Sequence, residues 1–184
     1  MTTVHSAKAA LLLVSLGAFA YQMTTVQGYA KGAPTEVCED MTPQHGVGPK
    51  TTPSPYTLSV NQKSVKPGGN LVLSLSAKDG TKFKGFMMQA RDEVTHNPIG
   101  TFMPVPTATG LKEFKNKVLA LHCSKGAGGN NTITHNNPTE KGRLVMAWHA
   151  PADLKNSFKF RYTVAKNGGE FWVGVESGII TVDK

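Results

Sequence analysis

Five histidines follow residue 28, namely His45, His96, His122, His135 and His149, and imidazoles are where metal binding or acid–base catalysis would begin. None of them has the spacing of zinc ligands on a helix, and few carboxylates lie near them in sequence. Folding could gather His122, His135 and His149 from neighbouring runs, but surface or hydrogen-bonded imidazoles are the expected outcome, with no metal. Glu36, Glu39 and Asp40 cluster in a Pro- and Gly-rich stretch that reads as a solvated face. Asp92-Glu93 falls in an expected loop, which is no place for the facing carboxylates of a glycosidase. The chain has no Gly-x-Ser-x-Gly elbow, no phosphate-cradling Gly-x4-Gly-Lys loop and no His-Glu-x2-His helix. Gly126-Ala127-Gly128-Gly129 is glycine-rich but runs into Asn130-Asn131 and opens no helix, so a mobile loop is expected rather than a nucleotide site. No catalytic residue and no cofactor are expected.

Other residues point to binding or modification. Asn130-Asn131-Thr132 is an N-glycosylation acceptor, whereas Pro138 disqualifies Asn137-Pro138-Thr139. Trp148, Phe171 and Trp172 read as core aromatics. Phe171 and Trp172 are adjacent on an expected strand and should face opposite sides, which leaves one of them a candidate for exposure. Lys159 and Arg161 alternate with Phe158, Phe160, Tyr162 and Val164, and Lys155 and Lys166 flank them. These four cations form the expected contact face for an anionic ligand, with ordinary solvated strand residues as the alternative.

The elements that would position these residues are strands. Residues 29–55 carry Pro, Gly and Thr without apolar period and read as an irregular strap. Beyond Pro55 the chain breaks into short runs separated by turn residues. Tyr56, Leu58 and Val60 alternate with polar residues, and so do Leu71, Leu73 and Leu75, with Lys66-Pro67-Gly68-Gly69 turning between them. Further runs cover residues 83–91, 100–103, 117–123, 131–135, 144–148, 158–165, 171–175 and 179–182. Residues 111–121 are the sole helix candidate, without a strong cap. Eight or nine strands with a turn about every ten residues imply an all-β antiparallel sandwich.

Residues 1–28 set the expected compartment. A basic start at His5 and Lys8 precedes an apolar run over 9–20, too short for the roughly 20 residues a membrane span needs. Small residues around Gly28 complete the pattern of a secretory signal peptide. Its removal leaves one expected domain over residues 29–184, carrying 19 basic against 12 acidic residues, or +7. Such a charge favours anionic surfaces such as glycosaminoglycans or bacterial envelopes, or else serves solubility alone. Outside the cell, the two cysteines, Cys38 and Cys123, are expected to form a disulfide.

An ordered set of motifs carries a family resemblance. Gly32-Ala33-Pro34 and the run Cys38-Glu39-Asp40-Met41-Thr42-Pro43-Gln44-His45-Gly46 resemble the opening of the reeler (reelin N-terminal) domain. The run Phe83-Lys84-Gly85-Phe86-Met87-Met88-Gln89-Ala90-Arg91 resembles its most recognisable strand. Gly100-Thr101-Phe102, Cys123, Thr134-His135, Trp148 with Ala150-Pro151, and Phe171-Trp172-Val173 follow in the family's order, so the resemblance spans residues 32–182. It implies an immunoglobulin-like β-sandwich and no catalytic residues. The single-domain arrangement is similar to small insect haemolymph defense proteins of that family. That similarity implies a secreted innate-immunity factor whose partners are bacterial envelope components, such as lipopolysaccharide, and the haemocyte surface. Neither nucleic-acid binding nor membrane insertion is expected. The alternative is an extracellular-matrix or heparan-sulfate adhesion module. Large relatives add adhesion repeats or a membrane cytochrome, so guidance and reductase roles are not expected to transfer.

Overall fold

The computed structural model describes residues 29–103, 117–126 and 129–184. The expected leader over residues 1–28 lies outside them, as do the middle of the glycine-rich loop and most of the helix candidate. The last four residues of that candidate form a strand.

Alternating side chains build two facing sheets. The first sheet is ordered β1 (Tyr56–Val60), β3 (Asn70–Ala77), β9 (Arg143–His149) and β6 (Thr101–Met103). The second is ordered β11 (Glu170–Glu176), β10 (Phe158–Asn167), β4 (Gly85–Asp92), β8 (Thr132–His135) and β7 (Val118–Leu121), with β5 (Pro98–Ile99) also paired to β4. All these pairings are antiparallel. A short parallel pair joins β2 (Ser64–Val65) to β12 (Thr181–Val182). The all-β sandwich expected from the strand pattern is the observed fold, with twelve strands among the described residues because the two-residue strands had no alternation to reveal them.

Between the sheets lies the core. Leu71, Leu73 and Leu75 from β3 and Met146 and Trp148 from β9 meet Phe158, Phe160, Tyr162 and Val164 from β10. Register fixes this face, because a slip of one residue would turn every side chain over. Phe160 lies opposite Ala90, Tyr162 opposite Met88 and Val164 opposite Phe86, so the inner faces of β10 and β4 coincide. Trp148 sits fully buried and donates its indole N–H to Ile99 O at 3.1 Å. Gly100 makes room for it: at φ +68, a Cβ there would fall 2.3 Å from the indole ring.

A third layer covers the other face of the second sheet. The strap, with a single 3-10 turn at Thr35–Val37, lies across β4 and β10 and packs Val37 and Met41 onto Met87 and Cys123. This cover corrects one expectation. Phe171 and Trp172 do face opposite ways, but both are buried, Phe171 against the edge of His45 at 5.4 Å and Trp172 against Tyr56 at 5.6 Å. The strap also takes their polar edges: Lys50 N–H bonds Phe171 O, and the Trp172 indole donates to Thr52 O at 3.0 Å.

A buried lysine locks the end of this sheet. Lys141 is 1% exposed, and its ammonium donates to the carbonyls of Lys84, Asn137 and Thr139 at 2.7–2.8 Å. Burial pulls its pKa down to about 8, with Lys117 adding repulsion. Replacing Lys141→Met keeps the aliphatic stem and strands three carbonyls. It should cost about 2–3 kcal/mol, with the loop at Asn137 free to take up water. Urea denaturation reads this as a lower midpoint at unchanged slope.

Candidate functional site

The strap is stitched to the sheet at defined points. Ala33 N–H donates to Thr134 Oγ1 at 3.1 Å, and Thr163 Oγ1 donates to Met41 O at 2.9 Å. Gln89, fully buried on β4, donates to Cys38 O and to Thr132 Oγ1, both at 3.0 Å. Arg91 adds Nη2 bonds to Cys38 O at 2.9 Å and Glu39 O at 2.6 Å. The expected disulfide is present: Cys38 and Cys123 are bridged with their Cα atoms 5.8 Å apart. Asn131 holds the far side by accepting from Cys123 N–H and donating to Cys123 O, at 2.8 and 2.9 Å.

Beside these anchors the strap stands off the sheet and leaves an apolar cleft of about 340 Å³. Ala33, Val37, Met41 and Pro43 form one wall, and Gly85, Met87 and Ala165 form the floor. Gly85 keeps that floor flat, since a Cβ there would press to 3.2 Å from the His135 ring. Two imidazoles line the cleft. With its proton on Nε2, His135 donates to Tyr29 O at 3.0 Å and accepts from Phe86 N–H at 3.3 Å. His45 Nδ1 is buried with no hydrogen-bond partner among the described residues.

Burial holds the His135 pKa below its ordinary value; the contacts to Phe86 and Tyr29 oppose that, while Lys141 and His45 add to it. The neutral ring is therefore the folded form, and the unfolded chain takes up the proton first as pH falls. Stability should decline as pH drops below about 6.5, the ordinary histidine value. His135→Gln should flatten that part of the melting-temperature profile, and an unchanged profile would remove His135 as its source.

The geometry gives little support for catalysis. Thr134 Oγ1 lies 3.2 Å from His135 Nδ1, but this hydroxyl is buried and directed at Phe86 O at 2.6 Å. A backbone carbonyl, rather than a carboxylate, orients the far side of the ring. The other histidines are dispersed: His149 Nδ1 contacts Asn70 Oδ1 on the first sheet, and His122 is exposed. Among the described residues no three His, Cys, Asp or Glu converge to hold a metal ion. Asp92 ends β4 by accepting Val94 and Thr95 N–H at 2.8 Å, which makes it a turn carboxylate.

The expected cationic face is different from its sequence reading. Lys159 reaches Glu93 at 3.3 Å and Glu176 at 3.5 Å, Arg161 reaches Glu176 at 3.3 Å, and Lys166 pairs with Glu170 at 3.1 Å. Lys159 and Arg161 do lie on the face of β10 away from the core, but half-buried and neutralised by carboxylates from other segments. Lys155 is exposed and takes part in none of these ion pairs. The four residues therefore do not present free positive charge as a group. Glu39 is likewise paired, with Lys125 at 2.6 Å. Asn130 is exposed at φ 58 on the turn before β8. The cleft itself had no sequence signature, because its walls come from segments about fifty to one hundred and thirty positions apart; the Pro- and Gly-rich strap was the one visible hint.

Comparisons with known proteins agree with this architecture. The family model described as the Reeler domain matches residues 36–184. "Putative defense protein Hdd11" of Hyphantria cunea is 37% identical over 164 residues, covering 89% of this chain and 94% of that protein. Ferric-chelate reductase 1 of Bos taurus is 29% identical over 158 residues, 85% of this chain but 24% of the reductase. The human F-spondin reeler domain superposes with a TM-score of 0.55 at 16% identity, covering 71% of this chain and 89% of that domain, and so shares the fold. Among the described residues no helix is long and apolar enough to cross a membrane. With the family model spanning the strap's 3-10 turn through the last strand, and the sandwich matching a solved member, the chain belongs to the reeler domain family.

Proposed function

We propose that this chain is a secreted, non-enzymatic protein of innate immunity that binds bacterial envelope components such as lipopolysaccharide and bridges them to the haemocyte surface. The observation that carries this reading is the near end-to-end alignment, 89% of one chain and 94% of the other, with a relative named for defense. The reductase relatives align over about a quarter of their own length, so electron transfer is not part of the proposal. The architecture supports a binding role: a disulfide-pinned scaffold carries a preformed apolar concavity, and such pockets are the usual seat of ligands.

The test is co-sedimentation of the secreted protein with Gram-negative and Gram-positive cells, alongside beads coated with lipopolysaccharide or heparin. Binding to cells and to lipopolysaccharide is expected. Retention on heparin alone, with no cell binding, would replace this reading with matrix adhesion.

Secretion carries a further expectation. Asn130 should bear an N-linked glycan, read as a mass loss after glycosidase treatment that Asn130→Gln abolishes. The Thr132 hydroxyl of the acceptor is buried on Gln89, so transfer has to precede folding.

A further inference from the structure

We propose that the cleft under the strap holds one unbranched acyl chain of a bacterial envelope glycolipid, with the anionic head of the lipid at the cleft rim. This rests on the envelope-binding reading and specifies its site and its ligand chemistry.

Size and lining come first. At roughly 30 Å³ per small group, the share a water molecule takes in the liquid, a cleft of about 340 Å³ admits on the order of ten such groups in line. The polar side chains lining it are few: Tyr29, the two imidazoles, Gln44, and Thr163, whose hydroxyl is already given to Met41 O. A peptide would bring an amide about every 3.5 Å, each needing a partner that these walls do not supply. A polymethylene chain brings none, and it covers Val37, Met41, Met87 and Ala165 with carbon.

Two further observations indicate that the chain has a polar end. His45 Nδ1 is buried at the cleft and has no hydrogen-bond partner among the described residues. Buried polar nitrogens are rarely left so, and a hydroxyl or carbonyl near the head of an acyl chain would satisfy it. Lys31, next to the cleft residue Ala30, is exposed and lies outside the ion pairs described above. That charge complements a phosphate or carboxylate, in contrast to Lys159, Arg161 and Lys166, which are neutralised in place.

The experiment measures binding of the secreted protein to lipopolysaccharide, to the same lipopolysaccharide stripped of ester-linked chains by mild alkali, and to laurate. Displacement of a fluorescent fatty acid provides the readout. Full lipopolysaccharide should bind at least tenfold tighter than the stripped form, and laurate should displace the probe weakly. Ala165→Phe, which fills the floor, should abolish displacement. Lys31→Glu alters only an exposed position; it should weaken lipopolysaccharide severalfold while sparing laurate, so the inference remains testable if the floor variant fails to fold. Equal binding of stripped and full lipopolysaccharide, or full binding by both variants, would overturn the acyl site and leave envelope binding intact. Displacement by laurate without any lipopolysaccharide or cell binding would overturn both.

Discussion

Replacing both Cys38 and Cys123 by Ala should lower the melting temperature by about 10–15 °C. The bridge spans 85 positions, for which the loss of loop-closure entropy in the unfolded chain is worth roughly 4–5 kcal/mol. For a domain of this size, about 2–4 °C accompany each kcal/mol. The native anchors from Gln89 and Arg91 to Cys38 O and Glu39 O remain in the double variant, so the effect is expected to act mainly through the unfolded state. Thiol titration of the denatured, unreduced wild type should find none free. Two titratable thiols, or a shift below 2 °C, would show that the strap is held without the bridge.

Phe160→Ala should cost about 3–5 kcal/mol. Phe160 is fully buried and joins the two sheets: its ring lies 5.6 Å from Trp148 on β9, 5.6 Å from Phe158 and 6.3 Å from Phe102 on β6. Deleting it opens a void whose walls belong to both sheets, and rigid aromatic neighbours fill such a space poorly. The neighbouring Lys159→Ala removes ion pairs to Glu93 and Glu176 on the opposite face, for which less than about 1 kcal/mol is expected. Chemical denaturation of the two variants side by side tests the register directly. A larger loss for Lys159→Ala than for Phe160→Ala would invert β10.

The sequence by itself determined whatever rests on local periodicity and local turn chemistry. Alternation in Leu71, Leu73 and Leu75 and in Phe158, Phe160, Tyr162 and Val164 identified the inner face, because a strand repeats every two residues and only one side of each sheet meets the other. Turn residues at Pro67-Gly68 and Asp79-Gly80 bounded the first of those strands. The pairing of Cys38 with Cys123 followed from an even count and an expected compartment. An ordered set of short motifs indicated the family without any distance being known.

Tertiary structure alone decided what lies on the outer face. Alternation records that Lys159, Arg161 and Thr163 point away from the core, but not that Glu93, Glu176 and the strap await them there. Met41 reaches Thr163 across 122 positions, and Thr52 reaches Trp172 across 120, separations at which no local pattern carries information. Lys141 is buried among three carbonyls with no sequence signal for it, because its burial depends on where the loop at Asn137 closes. The cleft is the same kind of feature. Each of its residues is ordinary in sequence, and its shape arises where a strap with no periodicity of its own crosses a sheet at fixed anchors and stands clear of it between them.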